Sequence, residues 1–442
     1  MRRSGGEWGM GNGDWLGRGR RRLVVLAWLL TLCAVAPFDR AFAQVAVESA
    51  PDHSPFPVPD SRLSISLLTI GPGELFFERF GHNAIVVRES GRPAVVYNYG
   101  IFDFAQEDFL LNFARGRMLY RVIEGPLADD LGMYRAQGRS IVEQVLDIDP
   151  TRARELVDFL AWNVLPQNTQ YRYDYFESNC STRVRDALDR ALDGALRAHG
   201  EGRSRGYTWR LDALRLMAPE PWLMLGIDLG LGPYADQRID YWQESFVPDT
   251  LSRVVAEATR AEATGAQVPV VAATTALAPG LVEEPPLLPP DLRWPFLAIG
   301  LAVGAVLHRL GRDARGSRRL PFAGFALVFE LFCGLGGLLL LFLWFGTEHR
   351  AAWRNENLLL LNPICLALLP AWWGVARGRL RPRPVATAIA ALVALLAAFA
   401  LFSKILPWFA QANLHWIVLL LPIHLALALA LARPARVHAA AG

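Results

Sequence analysis

One thiol and a few imidazoles carry the chemistry open to this sequence. Cys180 follows Asn179 where the aromatic-rich stretch from Tyr171 gives way to Val184, Ala187, Leu188, Ala191 and Leu192. That i, i+3, i+4, i+7, i+8 spacing is the period of an amphipathic helix. Asn179 is then the expected N-cap, with Cys180 in the first turn. Unpaired N–H groups and the positive end of the helix dipole favour a thiolate there. A thiol nucleophile needs a base, usually histidine, and a third group to hold the imidazole. His53 sits in a proline-rich lead-in and His199 in a polar loop, whereas His82 opens a β-branched stretch directly after Gly81. His82 is the expected base. Asn98, on the next strand with Tyr97 and Tyr99 beside it, is the expected orienting group. The oxyanion donors would be backbone N–H groups at the helix start, that of Cys180 included. The Asn179 side chain reads equally as a substrate-facing donor or a plain N-cap.

The elements that must position these residues read as α+β. Strands are expected at 63–69, 82–88, 94–99, 118–123 and 140–148. Helices are expected at about 106–115, 127–138, 150–165, 180–192 and, as one run, 209–229. Residues 61–252 thus form a mixed globular domain. Residues 253–292 are Ala, Val, Thr, Pro and Glu without periodicity and predict a solvated linker.

The 442-residue chain is 52% hydrophobic with a net charge of only +3, so no polyanion such as nucleic acid is implied as a partner. The apolar surplus lies at the two ends. Residues 1–43 read as a secretory signal: Arg18, Arg20, Arg21 and Arg22, then an apolar run, then Ala41-Phe42-Ala43 as the cleavage site. Residues 293–432 hold five apolar stretches, 294–310, 320–345, 358–375, 385–406 and 415–431, a membrane domain of five transmembrane helices. Loops 311–319 and 376–384 carry four arginines each, while 346–357 and 407–414 carry only Arg350 and Arg354 between them. The positive-inside rule places the globular domain outside and the C-terminus in the cytoplasm, in agreement with the signal. Of four cysteines, Cys33 falls in the signal and Cys333 and Cys365 in apolar spans, leaving Cys180 alone in the exported part. Glu330, near the middle of the second span, is a costly intramembrane carboxylate, read equally as a functional group or a paired or protonated structural one. His349, Asn355 and Asn357 in loop 346–357 should face the globular domain, to bind a headgroup, to complete the site, or only to cap spans two and three. No metal-ligand spacing, phosphate loop or dinucleotide fingerprint occurs, so no cofactor is expected.

Gly81-His-Asn-Ala-Ile-Val-Val87, Tyr97-Asn-Tyr-Gly-Ile-Phe-Asp-Phe104, Tyr171-Arg-Tyr-Asp174 and Asn179-Cys-Ser-Thr-Arg183 resemble the Lnb-type N-terminal periplasmic domain family, whose namesake is a bacterial lipoprotein N-acyltransferase. Thr347-Glu-His349 and Asn355-Glu-Asn-Leu-Leu-Leu-Leu-Asn-Pro363 look like that family's outer loop. The family is similar to circularly permuted papain-like thiol enzymes, in which the histidine precedes the cysteine. The resemblance implies a permuted papain-like periplasmic domain followed by an all-α membrane domain in the inner (cytoplasmic) membrane. It implies Cys180 as nucleophile and His82 as base. The expected reaction is thiol-dependent acyl transfer from a membrane phospholipid, through a Cys180 thioester, to the N-terminal amine of a lipoprotein. Asn179, Tyr99, His349, Asn355 and Glu330 are the expected substrate contacts. The competing expectations are a cysteine peptidase or amidase acting on cell-wall peptide and a non-enzymatic envelope protein with a structural Cys180.

Overall fold

A computed structural model of the chain describes residues 63–102, 108–262, 265–312, 318–378 and 384–433. The expected signal with Cys33, the lead-in with His53, and Arg315, Arg379, Arg381 and Arg383 of the two arginine-rich loops lie outside the described residues.

The N-terminal domain runs β1 (Leu63–Ile70), β2 (His82–Glu89), β3 (Val95–Phe102), α1 (Phe109–Ala114), β4 (Leu119–Pro126), α2 (Leu127–Ala136), β5 (Ile141–Leu146), α3 (Pro150–Asn163), β6 (Gln170–Arg172) and α4 (Cys180–Ala191). There follow α5 (Ala195–Gly200), α6 (Trp209–Leu216), α7 (Pro221–Gly230), α8 (Tyr241–Glu244), α9 (Pro248–Glu257), β7 (Thr259–Ala261), β8 (Gln267–Pro269) and β9 (Val271–Ala278). Seven strands form one antiparallel sheet in the order β6-β4-β3-β2-β1-β5-β9. Alternation along the strands divides its side chains between two cores. Ile65, Leu67, Ile85, Tyr97 and Tyr99 pack against α3, α4 and α9, and Leu68, Ile70, Ala84, Val86 and Val96 pack against Leu127 and Tyr134 of α2. His82 and Asn98 have the parity of the α2 face. Asn83 has the parity of the α4 face.

Two expectations need correction here. The run 209–229 is two helices, because Pro219 and Pro221 interrupt it and Pro221 starts α7 at the first helical position. The stretch 253–292 is not a solvated linker throughout: α9 runs into it, and Val271–Ala278 is an edge strand paired with β5. Its β-branched residues Val271, Thr274 and Thr275 suit a half-buried edge, a signal that the surrounding Ala and Pro masked.

The C-terminal domain comprises α10 (Arg293–Arg312), α11 (Arg319–Phe345), α12 (Leu369–Ala376), α13 (Pro384–Phe402) and α14 (Leu414–Ala432). Among the described residues, four helices are long and apolar enough to cross a membrane. The third predicted span, 358–375, is not one helix. Short 3-10 segments at Glu356–Leu359 and Pro363–Leu368 precede α12, and the stretch bends by 42°. Pro363 has no N–H to continue a ladder, and the Asn362 side chain caps Ile364 N at 3.0 Å, so the chain restarts there. Counting the bent stretch as one span gives five.

Candidate active site

Cys180 is the first residue of α4, as its spacing predicts. The Asn179 side chain accepts from Thr182 N at 2.9 Å, and Thr182 returns a bond to Asn179 N at 2.8 Å. Val184, Ala187, Leu188 and Ala191 then bury one face of the helix against the sheet. Full burial of a side chain such as Val184 or Leu188 is worth roughly 1.5–3 kcal/mol. A polar pin sets the height of the helix on the sheet: Ser181 Oγ lies 2.7 Å from Asn83 Oδ1 and 2.6 Å from the Ser245 carbonyl. Gly100, with φ +88°, makes the close approach possible, since a Cβ there would stand 3.1 Å from that of Cys180. Gly100→Ala is therefore expected to cost about 1–2 kcal/mol from the left-handed backbone alone and to displace the thiol. Thermal unfolding and thiol reactivity measure the two effects, and unchanged values of both would show that the contact yields.

His82 is the first residue of β2, and its Nε2 lies 2.9 Å from Asn98 Oδ1. Asn98 in turn donates from Nδ2 to Asp130 Oδ2 of α2 at 2.7 Å. An ionised carboxylate only accepts, so the amide N–H of Asn98 faces Asp130 and its oxygen faces the imidazole. Nε2 then carries the ring proton, and Nδ1 keeps the lone pair a base requires. Asp130 is a member that the sequence reading missed. Its only signal was an acidic residue on the helix after β4, and nothing in the spacing tied it to Asn98.

Thiol and imidazole share their surroundings. The backbone N–H of Asn83, one residue from His82, reaches the Cys180 sulfur together with those of Ser181 and Cys180. Tyr134 packs 6.3 Å from the His82 ring, centre to centre, and the Arg139 guanidinium lies 5.0 Å from the centre of the Tyr134 ring. Arg139 acts electrostatically on both His82 and Cys180. Burial pulls the His82 imidazole down to about 4, against the Asn98 bond and with help from Arg139. Burial also pushes the Cys180 thiol up, more than the backbone donors and Arg139 pull it down. The thiolate that the helix start favours is disfavoured here: desolvation outweighs the helix start and holds both the Cys180 thiol and the His82 imidazole in their neutral forms.

The other expected contacts are committed elsewhere. Asn179, besides capping, donates to the carbonyls of Tyr175 (3.1 Å) and Phe246 (2.9 Å), which leaves no amide group for a substrate. Tyr99 is buried in the α4-side core, and its hydroxyl donates to Asn163 Oδ1 at 2.8 Å. Asn355 is buried and donates to the carbonyls of Leu229, Gly230 and Leu231, the orphan acceptors at the end of α7. Asn357, Gln411 and Asn413 extend this knot between the two outer loops. Glu330 lies inside the helical domain, fifteen residues or roughly 22 Å of helix axis below the end of α11, and is no part of the thiol site.

His349 lies next to the segment that leads to Cys180. Its ring stacks on Tyr175 at 5.9 Å and its Nε2 donates to the Phe113 carbonyl at 3.0 Å. Glu348 N donates to the Arg115 carbonyl at 2.8 Å, and its carboxylate pairs with Arg117 at 2.7 Å and with Arg172. Gly116 admits this approach, since a Cβ there would meet His349 N at 2.8 Å. The loop after α11 is thereby fastened to α1 and to β6, the strand that precedes Cys180.

Fold and site together define an α+β domain that carries a half-buried thiol at a helix start and a half-buried imidazole held by Asn98, seated on the outer loops of a helical membrane domain. Two family models match the chain: Lnb N-terminal periplasmic domain over residues 58–219 and Lnb transmembrane domain over residues 295–435. Between them they span well over half of the sequence, and the chain belongs to the Lnb family: a membrane protein with a periplasmic N-terminal domain. No curated protein and no solved structure matches it.

Proposed function

We propose that this chain is a thiol acyltransferase of the inner membrane that works on acyl esters of membrane lipids, phospholipid first among them, and passes the acyl group to the N-terminal amine of a lipoprotein. Cys180 is the nucleophile and His82 the base, in the manner of permuted papain-like enzymes. Asn98 and Asp130 hold the tautomer. In the first half-reaction the Cys180 sulfur attacks the ester carbonyl. Its proton passes to His82 Nδ1, the C–S bond forms, the ester C–O bond breaks, and the proton goes to the departing alcohol oxygen. In the second, an amine attacks the thioester carbonyl, His82 takes its proton, the C–N bond forms, the C–S bond breaks, and the proton returns to the departing Cys180 sulfur. The N–H groups of Asn83, Ser181 and Cys180 would receive the oxyanion of each tetrahedral intermediate.

The observation that carries the lipid reading is the docking of Glu348 and His349, three and four residues past the end of α11, on the segment before Cys180. A peptidase tethered to a membrane has no need of its active-site strand clamped to the mouth of the spans. The full chain in vesicles with acyl-labelled phospholipid should acquire a hydroxylamine-labile label that Cys180→Ala loses. Release of fragments from cell-wall peptide, with no label on the protein, would replace this reading with that of a peptidase or amidase.

A further inference from the structure

A file of rings leads from the neighbourhood of the thiol to the membrane domain. Phe102, two residues past the Gly100 that abuts Cys180, lies 5.6 Å from Tyr120. Tyr120 stacks on Tyr173 at 4.0 Å, Tyr173 meets Tyr175 edge-on at 5.9 Å, and Tyr175 stacks on His349. His349 follows the end of α11 by four residues and bonds the carbonyl of Phe113 in α1. Helix α1 is apolar and outward-facing: Leu110 is 79% exposed, and Leu111 and Phe113 are exposed as well, as is Tyr175 of the ring file. Water-facing leucines on a six-residue helix have no stabilising role in a periplasmic domain.

We infer that this aromatic file, with α1 at its foot, is the path by which a single lipid acyl chain leaves the outer leaflet and reaches Cys180. The occupant is argued from continuity. The file ends on the loop that emerges from α11, and α1 is fastened to that same loop through Arg115 and Phe113. Both therefore stand at the level where the outer leaflet meets the periplasmic domain. Tyrosine suits such a border, with an apolar ring for the chain and a hydroxyl for the wet side. The inference rests on the acyl-transfer reading for its purpose but not for its test.

A phosphatidylcholine carrying a diazirine on its acyl chain, in vesicles holding the full-length Cys180→Ala protein, should crosslink to peptides containing 109–114 and 171–175. That outcome needs no chemistry at residue 180, so it stands or falls apart from the thioester. Crosslinks confined to the faces of α10, α11, α13 and α14 would overturn the path. With Cys180 intact, the ratio of thiol acylation by a palmitoyl ester to that by an acetyl ester should fall at least tenfold in Leu111→Ser/Tyr175→Ser. An unchanged ratio would overturn the path, and so would an equal loss with both esters, which would assign these residues to the chemistry instead.

Discussion

His82→Gln is expected to lower acyl transfer by about a hundred- to ten-thousandfold, the range for loss of a positioned general base, and to flatten two pH profiles. In the wild type the imidazole protonates at about 4, so the acid limb of the rate should fall there and not near 6.5. Because the thiol is pushed up, alkylation of Cys180 by iodoacetamide should keep rising past pH 8.5, with no plateau at neutral pH. A plateau below pH 7 would mean a standing thiolate–imidazolium pair and would refute the neutral resting state. The stability profile has a definite sign. The unfolded histidine binds its proton below about 6.5 and the folded one only below about 4, so between those values the unfolded state holds the extra proton. Stability therefore falls as pH drops through that window, by on the order of 3 kcal/mol, and His82 contributes no further change above or below it. The difference between wild type and His82→Gln isolates this contribution from that of other buried groups.

Asp228→Ala is expected to be among the most destabilising single changes, at about 3–5 kcal/mol. Asp228 sits in α7, only 1% exposed, where it accepts from Arg210 (2.7 Å), Trp416 Nε1 (2.7 Å) and His415. Burial works against its charge, and the His415 and Arg210 bonds overcome this and hold its carboxyl below the usual range. Removing the carboxylate leaves the Arg210 guanidinium with Asp236 as its remaining acid and strips two donors at the head of α14. The thermal midpoint should drop, and protease cleavage between α9 and α10 should speed up as the two domains part. Glu348→Gln is the contrast. Its pairs with Arg117 and Arg172 are about half exposed, so the cost to stability should stay below about 1 kcal/mol. A loss under 1 kcal/mol for Asp228→Ala would show that the knot around Asn355 and Gln411 holds the domains together without it.

The local elements were legible where one period or one residue type decides the outcome. The five apolar residues after Cys180 specified α4, Asn179 specified its cap, and the β-branched runs specified β2 and β3. Length and apolarity marked four of the spans. Cys180, His82 and Asn98 were legible as candidates, because the first two each begin an element and Asn98 lies on the strand next to that of His82. Other features depend on pairs that no spacing connects. Asp130 meets Asn98 only because α2 packs over the face on which β3 turns that amide. Asn355 caps α7 from 124 to 126 positions away, and His349 stacks on Tyr175 from a different domain. The charge state of the thiol was decided by burial, which a sequence does not state: the helix start favours a thiolate, and the packed site overrules it. The sequence alone determined which groups could react and on which side of a membrane they stand. Tertiary structure decided what holds them, because hydrogen bonds and desolvation act over a few ångströms of space and are indifferent to distance along the chain.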